Sequence, residues 1–137
     1  MSVIDDLAAL QDHDGIIREL EQQVNDIPIR RNQELEKIKV EQEDYERAKE
    51  VVQTLRTEVT RGELYSAELK ETIQKFRIQT PSLKTQAALD AMMSQISKAQ
   101  GDLKAAENSV IETHLKIEPA EKYAEECRLR YEEAKAL

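Results

Sequence analysis

From Leu89 to Ala134 the apolar residues fall into two series that each advance by seven. Leu89, Ile96, Leu103, Val110, Ile117, Ala124 and Tyr131 form the first; Met92, Ala99, Ala106, Thr113, Ala120, Cys127 and Ala134 form the second. Such spacing leaves few folds open. Both series lie on one side of an α-helix, and that seam is stable only when another helix covers it. An earlier stretch carries the complementary pattern. It begins with Leu35, Ile38, Gln42 and Tyr45. After a three-residue slip it continues through Ala48, Val52, Leu55, Val59, Gly62, Ser66, Leu69, Ile73 and Phe76. A slip of this kind is a local overwinding that coiled coils tolerate.

Proline and capping residues divide the chain into three predicted helices within a single coiled-coil domain, 1–137. The first spans 3–26. Ser2 with Asp5 forms an acidic capping box, and Asp5 and Asp6 suit the positive end of the helix dipole. Val3, Leu7, Leu10, Ile17, Leu20, Val24 and Ile27 follow at helical spacing. Asn25-Asp26-Ile27-Pro28 is expected to close this helix, because proline disfavours helix for the residue before it and can open the next one. The second helix spans 29–76 and the turn 77–81, with Thr80 as N-cap and Pro81 at the first helical position. The third spans 82–135, with a kink or brief interruption expected at Pro119.

These elements predict an all-α fold, a long antiparallel coiled-coil hairpin with the shorter N-terminal helix packed at its base. A turn near residue 79 pairs positions whose numbers sum to about 158. Val52 then meets Ala106, Val59 meets Ala99, Gly62 meets Ile96, Ser66 meets Met92 and Ala48 meets Val110. These layers match large with small. A parallel two-chain coil would stack Gly62 on its twin and leave a void, so the intramolecular hairpin is favoured.

Composition narrows the function. With 4% aromatic and 39% hydrophobic residues, the 137-residue chain has too little apolar mass for a compact core around a lined pocket. One cysteine allows no internal disulfide and no four-cysteine zinc site. Apolar runs are short and the N-terminus is acidic, so neither a membrane span nor a secretory signal is expected, and the setting is read as cytoplasmic. No catalytic constellation stands out. His13 and His114 are far apart, with His114 placed beside Asp44 by the pairing rule, and Cys127 falls on the seam as a small hydrophobe. Gly15, Gly62 and Gly101 are isolated and make no phosphate loop. An enzyme is not expected.

Charge is polarised within a net of −8. Residues 3–26 hold seven acids against Arg18 alone, while residues 70–84 hold Lys70, Lys75, Arg77 and Lys84 against Glu71. The hairpin tip is therefore the candidate docking site: Lys70, Lys75, Phe76, Arg77, Ile78 and Lys84. Lysines late in a helix also complement its dipole, which is the simpler account of part of this cluster. A further strip outside the seam, Val40, Val51, Leu64, Ile111 and Leu115, offers surface for a homodimer.

The stretch Leu83-Lys84-Thr85-Gln86-Ala87-Ala88-Leu89-Asp90-Ala91-Met92-Met93-Ser94-Gln95-Ile96 resembles the post-turn signature of the bacterial C4-type zinc-ribbon coiled-coil family, V-K-[TN]-N-x-E-[YF]-x-A-L-x-x-E-I. Lys84, Thr85, Ala91 and Ile96 match; Leu83, Leu89, Met92 and Gln95 are looser stand-ins, and Ala88 replaces the acid. Leu7-Ala8-Ala9-Leu10-Gln11-Asp12-His13-Asp14, followed by Leu20-Glu21 and Ile27-Pro28, is similar to that family's L-x-x-L-Q-x-x-D opening and its L/I-P corner. The resemblance implies a helical hairpin followed by a ribbon of two C-x-x-C pairs. It also implies partners such as an alternative sigma factor or a flagellar or type III secretion component. This sequence departs from the pattern in having no C-x-x-C, so it is read as the coiled-coil portion of a longer protein or as a ribbonless relative. No cofactor is expected in these residues, and zinc enters only if a ribbon follows.

Three functions fit this reading. The leading one is a non-enzymatic scaffold that binds a protein partner. The alternatives are a nucleic-acid-binding regulator that uses the basic tip and a prefoldin-like holdase with an apolar tip.

Overall fold

The structure, a computed structural model, describes residues 2–136 and is all-α. Helix α1 covers Val3–Gln79, a 3-10 turn covers Thr80–Ser82, and helix α2 covers Gln86–Ala136. No strand occurs among the described residues, and α1 and α2 pack together as a helical hairpin. Two compact units divide the chain, one of residues 44–128 and one of residues 1–43 with 129–137.

In the 44–128 unit, the residues that heptad spacing selects are the ones removed from solvent. Ala48, Val52, Ser66 and Ile73 of α1 are buried, and Leu55, Val59, Gly62, Leu69 and Phe76 are half-buried. On α2, Ile96, Ala99 and Cys127 are buried, while the other seam residues of this unit are half-buried. The densest packing gathers Ile73, Ile96 and Ala99, with Phe76, Met92 and Leu103 around them. Burial of a side chain such as Ile73 contributes about 1.5–3 kcal/mol, so a ladder of such layers carries the stability of this unit.

The pairing across the hairpin differs from the expected pairing of positions summing to about 158. Gly62 faces Val110, not Ile96. Val110 lies two heptads beyond Ile96, so the seams are unchanged while every layer has a new partner. Two ion pairs on one flank show a shift in the same direction. Arg56 pairs with Glu121, and Lys70 Nζ lies 3.5 Å from Glu107 Oε1. These pairs sit two heptads apart on both helices. The two-heptad shift moves His114 away from Asp44, where the pairing rule placed it.

Local chemistry explains part of the displacement. α1 runs through Gln79, past the expected end at Phe76. Thr80 does not cap the next helix; its hydroxyl donates to the Phe76 carbonyl at 2.7 Å. Pro81 lies in the first positions of the 3-10 turn, and the Ser82 hydroxyl donates to the Gln79 carbonyl at 2.7 Å. The cap of α2 is Thr85, whose Oγ1 accepts from the Ala88 N–H at 3.1 Å, a standard N-terminal arrangement. α2 therefore starts at Gln86 and not at 82. It then runs through Pro119 as one helix, without an interruption.

In the 1–43 and 129–137 unit, Ala134 is buried, and Ile38, Glu41 and Tyr131 are half-buried. The Lys135 ammonium sits 4.3 Å from the Tyr131 ring centroid. Ser2 caps α1 as expected, with the Asp5 N–H donating to Ser2 Oγ at 3.3 Å. Two expectations fail here. The helix does not end at residue 26, because α1 continues through Pro28. Nor does a short first helix fold back at the base. Val3, Leu7, Leu10, Ile17, Leu20, Val24 and Ile27 are each between 52% and 74% exposed.

Proline at position 28 removes the hydrogen bond to the Val24 carbonyl and crowds it, at a cost of about 3 kcal/mol. Strong helix formers on both sides, Glu21-Gln22-Gln23 and Glu34-Leu35-Glu36-Lys37, keep the helix going through this defect. Pro28→Ala is expected to slow amide exchange around residues 22–34 by roughly two orders of magnitude, leaving exchange in the 44–128 unit unchanged. Hydrogen-exchange mass spectrometry checks this.

Candidate functional site

The six residues proposed for the tip separate into three environments. Phe76 belongs to the core, packed against the Ile73, Ile96 and Ala99 cluster. Lys70 lies back along the flank in its ion pair with Glu107. Lys75, Arg77, Ile78 and Lys84 are exposed near the end of the hairpin, and Lys75 Nζ lies 3.7 Å from Glu71 Oε1. Ile78 is 68% exposed and is the large apolar side chain that this end presents. The cationic surface is therefore narrower than the sequence count implies: Arg77 and Lys84, with Lys75 beside them, around one isoleucine.

A second surface lies on the flank. Glu63, Ser66, Ala67 and Lys70 of α1 and Glu107, Val110 and Ile111 of α2 line an open, mostly apolar groove. Three small residues make it: Gly62 lets Val110 approach α1 closely, and Ser66 and Ala67 keep the wall low. Glu63 stands at one end, and the Lys70–Glu107 pair stands at the other. The Ser66 hydroxyl is buried with no hydrogen-bond partner, a state that costs about 1–3 kcal/mol. Sequence reading identified Ile111 as exposed and apolar but missed the groove. The available signal was the cluster of small residues at 62, 66 and 67 beside an off-seam isoleucine.

Elsewhere on the same unit the chemistry is that of a solvated coiled coil. Arg128 donates from Nε to Glu125 Oε2 at 2.9 Å and from Nη2 to Glu125 Oε1 at 2.6 Å. This bidentate hydrogen bond holds the Glu125 carboxyl below the usual carboxylate range. Lys49 Nζ lies 4.4 Å from the Tyr45 ring centroid, covering an aromatic at the seam edge. Thr57, Thr60, Thr72 and Thr113 each return their hydroxyl to a carbonyl four residues earlier, as helix-bound threonines do.

No group of three or more His, Cys, Asp or Glu residues is arranged to hold a metal ion among the described residues. Cys127, the one thiol, is fully buried in the α2 seam, where a tetrahedral zinc would have no second sulfur donor. No helix of the described residues is long and apolar enough to cross a membrane. Comparison with protein families, curated proteins and solved structures gives no match for this chain.

Proposed function

We propose that this chain is a non-enzymatic scaffold that docks a helix of a protein partner along the hairpin flank. The carrying observation is the groove between Glu63 and Lys70, apolar along its floor and charged at both ends. Small residues at 66 and 67 keep the wall of the groove low and admit a partner helix closely. Arg77, Lys84 and Lys75 at the tip steer an acidic partner toward the hairpin and set its orientation. The resemblance to the zinc-ribbon coiled-coil family supports a bacterial, cytoplasmic setting and a sigma factor or secretion component as the partner. The holdase reading has little apolar tip surface to use, since Phe76 is packed inward and Leu83 is half-buried.

A photo-crosslinking residue at position 67 or 111 tests this in cells of the source organism. The expected result is a covalent adduct to one protein from both positions, lost on Ala67→Arg and weakened by charge reversal of Lys75, Arg77 and Lys84. Absence of any adduct would defeat the reading. RNA binding is the alternative. It would show as affinity that the same charge reversal abolishes and that falls with salt, at a log–log slope of roughly −0.7 per phosphate contact.

A further inference from the structure

The longest apolar surface in the chain belongs to neither the groove nor the tip. It is the stripe of α1 from Val3 to Ile27, whose residues at helical spacing all face solvent. Ile29 and Leu35 continue the exposed apolar surface. A helix with this pattern has a face built for burial. It also contains Gly15, which has open space around it, and Pro28, both of which weaken an isolated helix. Such a stretch needs a partner to remain helical in water, since most helical stability comes from packing an amphipathic face.

We propose that the partner is a second copy of this chain, bound antiparallel along residues 3–34. Two features select it. The first is area. Seven large side chains at roughly 100 Å² of exposed apolar surface each give about 700 Å² per copy, close to the ~800 Å² per partner of a stable interface. The second is charge. Residues 3–26 hold seven acids and only Arg18, so a parallel, in-register pair would set acid against acid along its length. Residues 29–34, the end of the paired stretch, hold Arg30 and Arg31 against Glu34. An antiparallel pair brings this basic stretch to the acidic one at both ends.

A register follows from the stripe. Setting Ile17 opposite Leu20 of the second copy sets Leu10 opposite Ile27 of that copy and Asp6 beside its Arg31. The two-fold axis repeats each contact, as a self-complementary interface requires. The paired stretch stops at Glu34, before Ile38, which is already half-buried within its own chain. This association is independent of whatever the hairpin flank docks.

Sedimentation equilibrium of the full chain over about 1 to 100 μM tests the proposal. The wild type is expected to be a dimer at the upper end of that range. Leu10→Asp with Leu20→Asp is expected to raise the dissociation constant by at least about 100-fold, because each exposed leucine loses a buried contact. These positions carry no core contact in the monomer, so helical content from 44 to 128 should persist. Asp6→Arg alone and Arg31→Asp alone should each weaken the dimer, and the two together should restore it. Amide protection of residues 3–34 should rise with protein concentration. A chain that stays monomeric throughout, a dimer indifferent to the leucine variants, or a charge swap that fails to restore binding would each overturn the proposal.

Discussion

Gly62→Leu is expected to lower the stability of the hairpin by about 3 kcal/mol, the upper end of what an overpacked core site costs. The first carbon of any side chain at this position would lie 2.5 Å from Val110 Cγ2 and 3.8 Å from Val110 Cβ. Valine has one strongly preferred rotamer in a helix, so Val110 cannot swing aside cheaply. Alanine at the same site sets two effects in opposition. Helix propensity favours Ala over Gly by about 1 kcal/mol, and the collision costs about 1–3 kcal/mol. Gly62→Ala is therefore expected to destabilise slightly, whereas Gly15→Ala and Gly101→Ala, which meet nothing within 4 Å, should gain up to about 1 kcal/mol. Val110→Ala should relieve the loss in Gly62→Leu. Thermal unfolding followed by circular dichroism measures all of these, and for a unit of this size 1 kcal/mol moves the midpoint by about 4–8 °C. Rescue by Ile96→Ala in place of Val110→Ala would restore the expected pairing and refute the observed register.

That experiment bears on what could be read from the chain. In the 44–128 unit the seams were legible residue by residue, because a helix covered by another buries the face on which its apolar side chains recur. Ala48, Val52, Ile73, Ile96, Ala99 and Cys127 are buried where heptad counting puts them. Pairing between the seams was not legible on the same terms. Sliding one helix by two heptads maps every seam position onto another seam position, so the pattern scores both registers alike. Large-on-small matching, argued for Gly62 with Ile96, holds equally for Gly62 with Val110. What differs lies outside the seam: a cap at Thr85 delays α2, and the exposed Arg56–Glu121 and Lys70–Glu107 pairs, each worth at most about 1 kcal/mol, report the shift without setting it. The flank groove was hidden for the same reason, since which α2 residues stand beside Ser66 and Ala67 depends on register. Pro28 misled because a proline fits the start of a new helix as well as the middle of an existing one, and α1 runs through it without a break.

Phe76 and Ile78 are two residues apart, and both were candidates for a partner-binding tip, yet opposite outcomes are expected when each is truncated. Phe76→Ala should destabilise the hairpin by about 2–3 kcal/mol. A fully buried phenylalanine costs about 3–5 kcal/mol, and Phe76 is half-buried against Ile73, Ile96 and Ala99. Its loss also opens the layer nearest the turn, where the Phe76 carbonyl accepts from the Thr80 hydroxyl. Amide exchange should therefore speed up first in the last turn of α1 and the first turns of α2, and only then along the rest of the hairpin. Ile78→Ala should change stability by no more than about 0.5 kcal/mol, since its side chain is 68% exposed. If the tip takes part in docking, Ile78→Ala weakens the partner adduct at an unchanged unfolding midpoint, whereas Phe76→Ala weakens it only as the hairpin loosens. Chemical denaturation of the two variants, read beside the crosslinking yield, separates a contact residue from a structural one. A Phe76→Ala chain with wild-type stability would place that ring outside the core and return it to the docking surface.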